Sequence, residues 1–389
     1  MTSGLAIRNV RAVLQDEVLD DATVVTEAGV VTEITAGGTA PPGALDGRGA
    51  YLLPGLVDTH SDGLEKELQP RPSVLFDVGF GLASFEGRVR ASGITTVFHA
   101  TGFYGDDAKG RSIAGALARE QAIRERVRDG LAQIDHRMLF RLDARDPAGL
   151  AALDETLRGH YAEVDIPPLV SYEDHTPGQG QFRDVDAYVR LYLTSEDEAA
   201  AKAAVQAKIA DRDTRVWHRE VALRWLVERR GTIRLLGHDP VTPEEVAHLA
   251  ASAVTVAEFP TTLAAARAAR EHGLLIVAGA PNVLRGGSHS GNVSATELIA
   301  HGLVDGLSSD YMPFTMIGAA FHLTRTGQAT LPAAVRLVTE GPAQVAGLDD
   351  RGRLAVGARA DLSLVTVDAG WPTVRSTWSV ADSRELVGA

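Results

Sequence analysis

Eight short apolar runs recur along the middle of the chain: GLVDTH, GITTVFHA, RMLFRLDAR, PPLVSYEDH, TIRLLGHD, VTVAEFP, LLIVAGAP and VDGLSSDY. Most are separated by segments with helical character. VTPEEVAHLAAS opens with Thr242 as N-cap, Pro243 in the first turn and Glu245 three residues on, which is a capping box. The stretch from Ser195 to Arg230, rich in Ala, Glu, Lys and Arg, also reads as helix. Strand and helix alternating in this way define an α/β fold, a (β/α)8 TIM-like barrel rather than a sandwich. The length of 389 residues fits one such barrel carrying additions.

The two ends of the chain have a different texture. LAIRNVRAVL and ATVVTEAGVVTEI read as short strands, with Ala28-Gly29 between two β-branched runs as a hairpin turn. RGRLAVGARADLSLVTV near the other end has the same character. The expected organisation is therefore a catalytic barrel over 53–343 and a small accessory β-sheet domain built from 1–52 and 344–389.

Composition removes several kinds of chemistry. The chain has no cysteine, so disulfides, thiolate metal sites and a cysteine nucleophile are excluded, and any metal must be held by His and carboxylates. A formal net charge of −13 argues against nucleic acid as a partner, because counterion release needs a basic face. No apolar stretch is long enough to suggest a membrane span, and MTSGLAIRNV lacks the pattern of a signal peptide, so a cytoplasmic protein with no membrane partner is expected.

In a (β/α)8 barrel the active site lies at the C-terminal ends of the strands. His60 and Asp62 follow the first run, in PGLVDTHSD; Asp143 follows the third, His175 the fourth, His238 the fifth and Asp310 the eighth. Taken one at a time, each is more often a hydrogen-bonded loop or core residue than a ligand, and Asp143 has a rival role pairing Arg141 or Arg145. Together they are expected to meet at one mouth as a metal site. The spacing of His60 and Asp62 puts both on the same side of an extended chain. His99 ends the second run and is more simply a structural residue, while His218, His248 and His272 fall in helical stretches outside the site.

LLPGLVDTH, LLGHD, SSD and GRLAVGARADLSLV together resemble the amidohydrolase superfamily of metal-dependent barrel hydrolases. More narrowly, VDTHSDGLEKELQPRP, SYEDHTPGQGQFRD, AEFPTT, GAPNVLRGGSHSGN and LSSDYMP resemble the ribosyl triphosphate diphosphatases of bacterial phosphonate catabolism. That resemblance implies a hydrolysis releasing pyrophosphate from alpha-D-ribose 1-methylphosphonate 5-triphosphate, at a centre of one or two divalent ions. His60, Asp62, His238 and Asp310 carry over as ligands by position, with Asp143 and His175 completing the set; Asp310 and His238 are the catalytic pair, Asp310 accepting the proton of the attacking water. The family usually has Glu where Asp143 stands and Asn where Gly63 stands. A homodimer is also implied. Imidazole and carboxylate suit Zn, Mn, Fe or Ni alike.

With a triphosphate in view, three segments supply donors. APNVLRGGSHSGN offers Arg285, Gly286, Gly287, Ser288, Ser290 and Asn292 after the seventh run, a usual phosphate position in barrels. HTPGQGQFRD adds Gln179, Gln181 and Arg183, and LQPRP adds Arg71. His289 would donate to a phosphate, protonate the leaving group or serve structure only. Two alternatives stand beside the diphosphatase: an amidohydrolase or deaminase acting on a cyclic amide or aminated ring, and a metal-free binding or assembly module.

Overall fold

The computed structural model describes residues 4–37, 40–71, 73–105, 111–192, 198–287 and 291–382. The N-terminal segment forms β1 (Leu5–Val13), β2 (Val18–Glu27), β3 (Val30–Ala36), β4 (Leu45–Asp46) and β5 (Tyr51–Pro54). The barrel follows as β6 (Leu56–Ser61), β7 (Ile94–Gly102), β8 (Asp135–Asp143), β9 (Leu169–Glu173), β10 (Arg234–His238), β11 (Val256–Glu258), β12 (Leu275–Gly279) and β13 (Gly306–Ser308). A final hairpin, β14 (Leu362–Asp368) and β15 (Trp371–Trp378), returns to the first sheet.

Each of the eight apolar runs of the sequence overlaps one barrel strand, and neighbouring strands pair in parallel in the order β13-β12-β11-β10-β9-β8-β7-β6. Inside the ring, Val57, Phe98, Leu139, Leu169, Leu236 and Val277 form one packed cluster. Ala343, Val345, Ala346 and Leu348, from the helix Glu340–Ala346 and the residues after it, belong to the same cluster and plug the bottom. The interior is thus a core and not a pore, which leaves the opposite rim for chemistry.

The ring closes unevenly between its first and last strands. Near the rim the two meet directly: the Asp310 amide donates to the His60 carbonyl at 2.9 Å, and the Asp62 amide to the Asp310 carbonyl. Below the rim, Leu337 and Val338 sit in the seam, accepting from the amides of Leu307 and Val57 respectively.

The terminal strands form a seven-stranded sheet ordered β15-β14-β5-β1-β2-β3, with β4 beside β1. It has its own apolar cluster around Ile7, Val10, Val24, Leu52 and Leu362. The turn between β2 and β3 places Ala28 and Gly29 at φ of 48° and 80°, the left-handed pair that a two-residue hairpin demands. The expected N-cap is present, Thr242 Oγ1 accepting from the Glu245 amide, while the Glu245 carboxylate reaches back to the Val241 amide, one residue before the position a capping box would use. Within the alanine-rich stretch, helices span Glu198–Asp213 and His218–Glu228. Among the described residues no helix is long and apolar enough to cross a membrane.

Candidate active site

Polar side chains gather where the strands end. A cavity of about 290 Å³ opens at this rim, and His60, Asp62, His175, His238, Asp239 and Asp310 are among its lining residues. Two groups of three lie close enough to share an ion each: His60 with Asp62 and Asp310, and His238 with Glu173 and His175. A third group, His60 with His238 and Glu258, explains how the other two are oriented.

Glu258 ends β11 and is fully buried. Its Oε1 lies 2.8 Å from Nδ1 of His60, and its Oε2 lies 2.6 Å from Nδ1 of His238 and accepts from the Ser171 hydroxyl at 2.6 Å. An ionised carboxylate only accepts, so both imidazoles carry their proton on Nδ1. Each Nε2 is thereby left as a donor atom directed away from Glu258. Nε2 of His60 is 3.8 Å from Asp62, and Nε2 of His238 is 3.5 Å from Asp239 and 3.9 Å from Glu173.

The electrostatics draw positive charge to the same nitrogens, as a proton or as a cation that displaces it. Burial opposes the charged form of His238, but Asp239, Glu258 and Glu173 outweigh it and hold the imidazole up at about 9. Burial likewise raises Asp62, yet Arg141 and Arg111 more than reverse it and keep that carboxylate well below its usual range. Asp310 goes the other way, pushed up by burial and by the charge of Asp62. Arg141 joins the two groups, donating to both oxygens of Asp62 at 2.9 and 3.0 Å and to Glu173 at 3.0 Å.

These residues fit a divalent cation. Glu173 Oε1 and Asp239 Oδ2 are buried and accept no hydrogen bond among the described residues; imidazole nitrogens stand 3.5 and 3.6 Å from Asp239 Oδ2, and 3.8 and 3.9 Å from the other oxygen of Glu173, Oε2. Nitrogen and oxygen donors with unused lone pairs are the set that Zn, Mn, Fe or Ni takes. The backbone is also unusual here. Asp239, Phe259 and Asp310, each just past a strand end, adopt left-handed φ values of 52°, 54° and 56°. Asp tolerates that region, but for a bulky residue such as Phe259 it costs about 1–3 kcal/mol. The ring so placed packs 5.0 Å from His60 and 5.5 Å from His238.

Several expected residues stand elsewhere. Asp143 lies outside the ligand groups: its Oδ1 accepts from the Arg145 amide, two residues on, and from Arg212 of the helix Glu198–Asp213, both at 2.8 Å. That tight turn directs the carboxylate away from the cavity, and the carboxylate between the two imidazole-bearing strands is Glu173 instead. Gln181 and Asn292 line the cavity, whereas Arg71, Gln179, Arg183, Arg285, Gly286 and Gly287 do not. Arg183 reaches Thr261 of the wall at 3.5 Å, and Arg285 is exposed at the end of the helix Ala280–Arg285. Ser288, His289 and Ser290 lie outside the described residues. His99 faces away from the cavity, in a buried chain with His136 at 2.8 Å, which in turn contacts Glu86 at 2.9 Å.

Glu173, Glu258, Asp239, Arg111 and Lys66 stand at or beside the cavity without being among the expected residues, and Arg141 is there as more than a partner for Asp143. The first three were accessible to the same rule that found His60 and His238, since Glu173 and Glu258 are the last residues of their strands and Asp239 follows one. Among the described residues the Lys and Arg side chains lining the cavity are Lys66, Arg111 and Arg141, from the first strand's helix, the loop after the second strand and the third strand.

Gly63 is buried, and a Cβ built on it would lie 2.4 Å from Phe85 Cε2 and 3.3 Å from Ser61 Oγ. A side chain at this position therefore enters the packing around Phe85 and not the cavity. Gly63→Asn is expected to destabilise the fold by about 1–3 kcal/mol through overpacking, measured by thermal or denaturant unfolding. Unchanged stability would show that Phe85 moves aside freely.

A parallel barrel closed around a packed core, with two imidazole–carboxylate groups at its C-terminal rim, defines a metal-type barrel hydrolase site. A family model described as the amidohydrolase family matches residues 169–370. The chain belongs to the amidohydrolase family and is a hydrolase of that family. It is 36% identical, over 92% of its length and 94% of the relative's, to the alpha-D-ribose 1-methylphosphonate 5-triphosphate diphosphatase of Escherichia coli strain K12. Among solved structures, N-acetylglucosamine-6-phosphate deacetylase from Pasteurella multocida superposes with a TM-score of 0.62 at 12% identity, covering 96% of this chain and 98% of that one. N-isopropylammelide isopropylaminohydrolase from Burkholderia multivorans gives 0.56 at 20% identity, covering 98% and 97%. These two likenesses establish the fold.

Proposed function

We propose that this chain hydrolyses alpha-D-ribose 1-methylphosphonate 5-triphosphate, releasing pyrophosphate and leaving the 5-phosphate, as a step of phosphonate breakdown. The observation that carries the assignment is the pairing of near full-length similarity to the Escherichia coli diphosphatase with two groups of side chains close enough to hold an ion each, five of their six residues lining one cavity. His60, Asp62 and Asp310 would hold one divalent ion, and His238, Glu173 and His175 a second. Such ions lower the pKa of water to about 7 and neutralise phosphoryl oxygens. Zn, Mn, Fe and Ni are the candidates; a cytoplasmic setting and a homodimer belong to the same proposal.

The chain's own groups then divide the work. Glu258 fixes both imidazoles in the Nδ1–H tautomer. Arg141 holds Asp62 and Glu173 in place. Asp62, kept ionised by two arginines, serves as a permanent anion, while Asp310, its affinity for protons raised by burial, takes the proton of the attacking water. The water oxygen bonds to the α-phosphorus, the bond from that phosphorus to the bridging oxygen breaks, and the bridging oxygen leaves with its electron pair as part of pyrophosphate.

The test is pyrophosphate release from a panel of ribose 5-triphosphates by metal-replete protein. Turnover is expected with the methylphosphonate, is lost on prolonged chelation and returns when one of the four metals is added back. Hydrolysis of a cyclic amide with no pyrophosphate from any triphosphate would replace the assignment by an amidohydrolase one.

A further inference from the structure

We propose that Lys66 forms the subsite for the leaving pyrophosphate, binding the terminal phosphates of a polyphosphate chain at the mouth of the cavity. This rests on the hydrolysis proposed above and adds which cation reads the part of the substrate that departs. Lys66 lies on the helix Gly63–Leu68, four residues after the ligand candidate Asp62, exposed and lining the cavity.

Arg111 donates to Glu65 at 2.7 Å, to Asp62 at 3.3 Å and to the Tyr104 hydroxyl at 2.7 Å. Arg141 is committed to Asp62 and Glu173. Both guanidiniums are matched by carboxylates, and the imidazoles of His60 and His238 are bound to Glu258. Among the described residues, the Lys66 ammonium alone of the lining cations has neither an ion pair nor a hydrogen bond. Asp62, Asp239 and Asp310 add negative charge to the same wall. A polyphosphate entering this space meets repulsion from those groups unless ions cover them, and beyond the reach of such ions Lys66 alone among the described residues offers an uncommitted charge. An ammonium is suited to this task, being a flexible point charge with three donors and no fixed plane to match. The arginines expected for it from sequence, Arg71, Arg183 and Arg285, are not part of the lining.

The experiment uses the metal-loaded chain and two variants, Lys66→Met, which keeps the apolar stem, and Lys66→Arg, which keeps the charge. Metal content is measured first and is expected to be equal in all three. Inhibition or calorimetric binding is then measured with inorganic pyrophosphate, with tripolyphosphate and with ribose 5-phosphate, which mimics the retained end. Lys66→Met is expected to weaken pyrophosphate and tripolyphosphate by about tenfold or more, with ribose 5-phosphate changed less than about twofold and Lys66→Arg within a few-fold of wild type. Equal affinities in wild type and Lys66→Met, an equal loss for all three ligands, or no binding of pyrophosphate by the wild type would each overturn the proposal. Failure of the wild type to release pyrophosphate from any ribose triphosphate, with the Lys66 pattern of binding intact, would instead reject the proposed reaction and leave a polyphosphate site.

Discussion

Asp310→Asn is expected to abolish measurable pyrophosphate release while leaving the barrel folded. A positioned base contributes about 10²–10⁴-fold, and an amide neither takes a proton nor supplies a charged oxygen to an ion. The fold survives for two local reasons. The seam bonds at this position come from main-chain atoms, the Asp310 amide to His60 and the Asp310 carbonyl from Asp62, and these persist in the variant. The residue also sits at φ 56°, and Asn is among the few non-glycine residues at ease there. Turnover within about tenfold of wild type, with an unchanged melting temperature, would remove Asp310 from the role of base.

Glu258→Gln is expected to cost one ion more than the other. Oε2 of Glu258 takes two donors, Nδ1–H of His238 and the Ser171 hydroxyl, so a glutamine keeps its carbonyl on that side. Its amide NH2 then faces Nδ1 of His60, where Oε1 stood. A donor there forces the His60 proton onto Nε2 and withdraws that nitrogen from the group it forms with Asp62 and Asp310. Replacing such an outer partner lowers metal affinity by about 10–100-fold. Titration of the apoprotein should show one class of site weakened by that factor and the His238, Glu173 and His175 class close to wild type. Two sites weakened equally, or neither, would disprove the tautomer account.

The architecture was legible because the eight strands are apolar and short and the intervening segments carry helix signals such as Thr242-Pro243 with Glu245. Strand ends were legible for the same reason, which is how His60, Asp62, His175, His238 and Asp310 were picked out before their cavity was known. Side-chain direction was not. Arg141 and Asp143 sit two residues apart on β8, and the sequence favoured the carboxylate over the arginine as the group facing the mouth. The turn that bonds Asp143 to the Arg145 amide is local, and its rival pairing was open to reading, whereas Arg212, which also meets that carboxylate, stands 69 positions further on and leaves no local mark. Glu173 and Glu258 were overlooked because a glutamate next to a loop usually faces water, and only the assembled ring shows both fully enclosed. The same holds for phosphate-binding cations: a glycine-flanked Arg285 looks the part in sequence, whereas Lys66 is one charge in an ordinary helical turn.

The seam between β6 and β13 has a consequence for how this enzyme responds to losing its ions. Among the described residues, main chain bonds to main chain between the first and last strands only at the rim, through His60, Asp62 and Asp310; side chains add Thr59 to Ser308 and Asp58 to Ser309, and Leu337 and Val338 fill the lower gap. The backbone that shuts the ring therefore bears the same side chains proposed to grip a cation. Cation binding at that place is linked to closure by mass action, so holoprotein resists opening of the cylinder more than apoprotein does. Catalytic loading and mechanical integrity are in this way coupled at the one place on the rim where His60 and Asp62 meet Asp310.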